Sequence, residues 1–145
     1  MSSGWEADDV ISVIDSLKQN YGEEALEIVE KALYKSAYDY GKELRENDYP
    51  NINPSNYVKH FLENDSEEIE VILDSKNKAI IKTNKCMIAD IFQSLGRPEI
   101  GSRFKCKQDF AIAKGYDQNM ELIISKSFMQ EDDCCIHEYV KKTDK

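Results

Sequence analysis

The chain has 145 residues, 41% of them hydrophobic and 32% charged, which suits one compact domain with its own core and excludes a disordered chain. Its 28 acidic residues against 19 basic ones give a formal net charge of -9; such a surface repels a polyanion, so nucleic acid is not an expected partner. Met1 to Asp9 show neither the basic nor the apolar region of a secretory signal, and no apolar run approaches membrane-spanning length, so the expectation is a cytoplasmic protein with no membrane partner.

Residues 6–63 are expected to be helical. The first helix carries Val10, Ile11, Ile14 and Leu17 at helical spacing behind acidic residues suited to an N-terminus. A break at Tyr21-Gly22 precedes the longest helix, whose buried face is expected to hold Ala25, Ile28, Val29, Ala32, Leu33, Ser36, Ala37, Tyr40 and Leu44. Its second half gathers small residues and tyrosines. Tyr40 and Gly41 suit a pocket wall there, but close helix packing beside surface tyrosines is the favoured reading. The stretch "NDYPNINPSN" is breaker chemistry, after which Tyr57, Val58, Phe61 and Leu62 mark a short helix that also carries His60.

Over 67–83 the period drops to that of a strand: Ile69, Val71 and Leu73, then Ala79, Ile81 and Thr83, alternate around "DSKNK" as in a β-hairpin. Helical spacing returns over 86–114, first in "CMIADIFQSLG" and then, past a corner at Gly96 to Pro98, in "PEIGSRFKCKQDFAIAKG". Within 118–141, "NMELIISKS" and "CCIHEYVKK" are expected as two more strands joined by an acidic turn. Residues 1–145 thus make a single α+β domain, with N-terminal helices packed on a mostly antiparallel sheet of about four strands.

Cys86, Cys106, Cys134 and Cys135 are expected as thiols or ligands rather than disulfides, since no secretory signal precedes them. Cys106 and Asp109 sit at helical spacing and share a face. Strand alternation sends Cys135, His137 and Tyr139 to one side of the last strand, and Cys134, Ile136, Glu138 and Val140 to the other. Cys86 falls where a strand hands over to a helix, whose N-terminal dipole favours a thiolate. If the sheet packs on the Cys106 helix, these groups converge, with Tyr40, Tyr139 and Cys86 available to contact a small-molecule substrate.

Three interpretations of that convergence stay open. The cysteines can be small core residues, as buried cysteine commonly is. They can bind zinc through Cys86, Cys106, Cys135 and His137, although no CxxC pair is present. They can be nucleophiles, activated by His137 or a helix terminus. Glycine-rich phosphate loops, GxSxG and HExxH are absent from the sequence.

The segments "YGEEALEIVEKALYKSAYDYG", "CMIADIFQSLG", "FKCKQDFAIAKGYDQNMELIISKS" and "EDDCCIHEY", in that order, resemble the L-2-amino-thiazoline-4-carboxylic acid hydrolase family over most of the chain. More distantly, the sequence is similar to 4-vinyl reductase type domains, which bind small ligands and in some sensors a cysteine-liganded zinc. The matching positions are Cys106, Asp109 and Cys135, together with Cys86 and His137. The resemblance implies a hydrolase that opens a thiazoline or related cyclic amidine and needs no cofactor. In that chemistry Cys106 is the nucleophile, with Cys135 the alternative thiol; Asp109 pairs with the amidinium or shuttles its proton, and His137 is a general base. An alternative of a different class is a non-catalytic small-molecule-binding module with a Cys/His zinc or cofactor site. A third is an interaction domain whose thiols are core residues. The acidic surface and the tyrosine-bearing helix are compatible with a homodimer without demanding one.

Overall fold

A single glycine separates the first two helices. The computed structural model describes residues 7–64, 69–84, 87–127 and 134–142. It opens with α1 (Ala7–Tyr21) and α2 (Glu23–Asp48), joined by Gly22 at φ 81°. A side chain is strained at that angle, so glycine lets the chain turn within one residue. Next, α3 (Pro54–Asn64) begins on a proline, whose missing N–H falls where a helix needs none. The Asn53 side chain caps it by accepting the Asn56 N–H at 2.9 Å.

The expected hairpin follows as β1 (Ile69–Asp74) and β2 (Lys78–Thr83), with the Ser75 N–H donating to the Lys78 carbonyl at 2.9 Å across the turn. Then come α4 (Met87–Ser94), α5 (Pro98–Gly101), a π-helical turn (Ser102–Cys106), α6 (Gln108–Tyr116), β3 (Met120–Lys126) and β4 (Cys135–Lys141). All strand pairings are antiparallel, in the order β1-β2-β4-β3, so β4 is slotted between the hairpin and β3. The architecture is the expected α+β single domain.

The core has two parts. Between helices and sheet lie Leu44, Tyr57, Val58, Ala113 and Tyr116 from α2, α3 and α6, packed on Ala79, Ile81, Met120, Leu122 and Tyr139. The other part joins helix to helix through Ile14, Leu26, Ala89, Phe92, Ile100 and Phe104. The α2–α6 crossing ties the two together and is backbone-close: a methyl placed on Gly41 would collide with the Ile112 carbonyl, and one on Gly115 with the Tyr38 carbonyl.

That crossing also corrects the expected buried face of α2. Leu26, Ala37, Gly41 and Leu44 are buried, whereas Ile28 and Tyr40 are 69% and 44% exposed. Leu26 and Leu44 are buried as parts of the two cores, and between them the small residue Gly41 lets α6 approach. The buried face therefore runs through Ala37, Gly41 and Leu44 rather than through Ile28 and Tyr40. The continuous helix expected from Pro98 is likewise interrupted by the π-helical turn. In β1 the alternation breaks at a bulge between Val71 and Leu73, which sets Leu73 opposite Ile80 and leaves it exposed. Among the described residues no helix is long and apolar enough to cross a membrane.

Candidate functional site

The helix-facing side of the sheet does not close completely on α6 and α3. Between them lies a cavity of about 330 Å³, walled by Phe61, Ile69, Ile81, Ile112 and Ile124. Its polar groups come from three directions: Lys105 and Cys106 from the π-helical turn, Gln108 and Asp109 from the start of α6, and Cys135, His137 and Tyr139 from β4. Thr83 and Ser127 complete the lining.

Each position follows from its element. The two-residue period of β4 turns Cys135, His137 and Tyr139 to the same side. The π-helical turn ends at Cys106, and the Gln108 side chain braces it by donating to the Phe104 carbonyl at 2.7 Å. Arg103 fastens the same turn to α2 by pairing with Glu23 and, at 2.7 Å, with Glu30. Lys107 adds a longer pair with Glu30 at 3.9 Å.

Burial dominates the electrostatics. Asp109 borders the cavity, and desolvation lifts its carboxyl from the usual carboxylate range to about 7. His137 suffers the opposite effect: burial disfavours the imidazolium and lowers its pKa to about 4. The Nδ1 of His137 lies 3.2 Å from the Tyr139 hydroxyl, which orients the ring. Tyr139 is itself fixed by neighbours, stacked on Phe61 at 6.4 Å and edge-on to Tyr57 at 5.0 Å. Burial holds its phenol well above the ordinary tyrosine range, so it stays protonated.

Cys106, Asp109, Cys135, His137 and Tyr139, singled out in the sequence, therefore border one space. Tyr40 does not join them; it stands on the exposed side of α2. Cys86 lies outside the described residues. Cys106, Cys134 and Cys135 are thiols rather than disulfides, and Cys134 is buried immediately before β4 rather than within it. Among the described residues, no group of three or more His, Cys, Asp or Glu side chains is arranged to hold a metal ion.

Sequence reasoning missed Lys105 and Gln108 as site residues. Lys105, Asp109 and Ile112 recur at helical spacing, and that pattern carried the signal. Ser127 had no comparable signal, since a bulge between Ile124 and Lys126 shifts the end of β3.

A family model described as L-2-amino-thiazoline-4-carboxylic acid hydrolase matches residues 3–139. None of the curated proteins compared with the chain matches it.

Proposed function

The chain belongs to the L-2-amino-thiazoline-4-carboxylic acid hydrolase family, and from that premise we propose that it hydrolyses a thiazoline or related cyclic amidine in the cavity between α6 and β4. The observation that carries this is the meeting of two thiols with a carboxyl of pKa about 7 around one small, mostly apolar space.

The reacting atom is the ring carbon bonded to nitrogen and sulfur. It is electrophilic when the amidine is protonated, and Asp109 is the partner for that cation. A cation bound there draws the carboxyl toward its ionised form, so Asp109 can pair with the ring and then return a proton. The Cys106 thiolate adds to the ring carbon and the ring C–S bond breaks. The departing sulfur takes a proton from Asp109, leaving an isothiourea on Cys106. Water then adds to the same carbon, the Cys106 sulfur leaves, and the product is a ureido compound carrying a new thiol.

With a pKa near 4, His137 remains neutral and is a weak base. It hydrogen-bonds the attacking water, while Asp109 carries the proton traffic. Cys135 sits on the facing wall and is the alternative nucleophile.

The test is release of thiol from aminothiazoline carboxylate by the wild type and by Cys106→Ser, Cys135→Ser and Asp109→Asn. Asp109→Asn is expected to lower kcat by about 10²–10⁴, and Cys106→Ser to abolish turnover. Full turnover by Cys106→Ser with loss in Cys135→Ser would move the nucleophile to β4. Full turnover by both would rule out a covalent route.

A further inference from the structure

We infer that Lys105 anchors the substrate's carboxylate at the cavity mouth, and that the site therefore selects anionic rings over neutral ones. The inference rests on the reading of this cavity as the place of ring opening, and it names the feature of the substrate that the cavity recognises.

Three basic residues alternate along the π-helical turn and the residue after it: Arg103, Lys105 and Lys107. Arg103 and Lys107 turn to α2, where Glu23 and Glu30 meet them. Lys105 faces the other way and lines the cavity. It takes no part in the ion pairs of the described residues, although the chain has nine more acidic than basic side chains by its net charge of -9.

The rest of the lining gives an anion little to bind. Beside Phe and four Ile it holds the neutral donors of Thr83, Gln108 and Ser127. Its other ionisable groups are a carboxyl, two thiols, a phenol and an imidazole held neutral, so Lys105 is the one cation among the described lining residues. A carboxylate moved from water into such a space loses hydration and meets Asp109, so entry without a cation is unfavourable. Lys105 is exposed while Asp109 is half-buried, which separates mouth from interior. A five-membered ring with an amidine at one side and a carboxylate at the other offers one end to each of these two residues. Lys105 holds the carboxylate at the mouth, and the amidine carbon is directed inward to Cys106 and Asp109. A lysine suits this position because its long stem can follow the substrate in while its ammonium stays near water.

The test measures kcat and KM for aminothiazoline carboxylate and for the aminothiazoline lacking the carboxylate, in the wild type, Lys105→Met and Lys105→Arg. Lys105→Met is expected to raise KM for the carboxylate substrate about tenfold, as for loss of one charge-assisted contact. Its kcat should change little, the preference over the decarboxylated ring should vanish, and Lys105→Arg should restore most of it. An unchanged preference in Lys105→Met would overturn the assignment. If the wild type opens neither ring, the proposed activity fails. Lys105 is then judged by equilibrium binding of thiazole-4-carboxylate against thiazole: a preference lost in Lys105→Met supports the anchor, and no preference in the wild type overturns it.

Discussion

Burial inverts the ordinary order of acidity between Asp109 and His137. Asp109 rises from 3.8 to about 7 and His137 falls from 6.5 to about 4. The two shifts act on stability with opposite signs. The unfolded chain releases the Asp109 proton near pH 4 while the folded chain keeps it, so this group destabilises the fold as pH rises from about 4 to 7. His137 is protonated in the unfolded chain below about 6.5 but resists protonation when folded, so its contribution is complete above that pH and is lost as pH falls to about 4. Over the shared window the two slopes cancel. Single variants should expose each one in urea unfolding followed across pH. Asp109→Asn is expected to match the wild type near pH 4 and exceed it by roughly 4 kcal/mol at pH 8. His137→Gln should gain relative to the wild type at pH 4 and show no such gain at pH 8. Parallel pH profiles for all three proteins would mean that neither group is desolvated. The strand side of this site was legible in the sequence, because alternation alone places Cys135, His137 and Tyr139 together. The acidity of Asp109 was not, since its apolar surroundings come from Phe61, Ile69, Ile81, Ile112 and Ile124 on separate elements.

Among the elements, α6 connects the site to the rest of the fold. It carries Gln108, Asp109 and Ile112 on its cavity side and Gly115 at its contact with α2. A side chain at 115 meets the carbonyl of Tyr38, which is backbone and cannot rotate away, so α6 must move. Gly115→Ala is therefore expected to cost about 3 kcal/mol and lower Tm by roughly 6–12 °C. Because the displaced helix carries Asp109, turnover should fall in the protein that remains folded. Gly22→Ala makes an informative contrast: its positive φ penalises a side chain, but nothing lies within 4 Å. It should cost about 1 kcal/mol and leave turnover unchanged. Equal effects on turnover from both variants would mean that the α2–α6 crossing does not position the site. Gly41 was noticed in the sequence as a point of close approach, but its partner on α6 was not, because proximity of two helices is set by tertiary packing. The same limit explains the misplaced face of α2 and the unrecognised π-helical turn, whose extra residue per turn leaves the apolar spacing around Phe104 compatible with an ordinary helix.

Among the described residues, helices cover one side of the sheet and leave residues of the other side exposed. Consecutive residues of β3 show the difference: Leu122 is 6% exposed and packs among the core residues, whereas Ile123 is 43% exposed. The register puts Ile123 opposite Glu138, which pairs with Lys78 at 3.5 Å, so this side mixes apolar residues with charge. An antiparallel sheet tolerates that arrangement, since its backbone hydrogen bonds are satisfied by neighbouring strands whichever side is wet. Truncating the two residues should separate the sides energetically. Leu122→Ala is expected to cost about 2–4 kcal/mol through lost burial and the space left behind, while Ile123→Ala should stay within about 0.5 kcal/mol. Urea unfolding of both variants at one pH measures the difference directly. A loss at Ile123 as large as that at Leu122 would mean that the second side of the sheet is covered in solution and that the fold has a further layer. A small loss at both would instead mean that β3 is loosely packed, and the wall of the cavity that Ile124 provides would then have to be rigidified by the bound substrate.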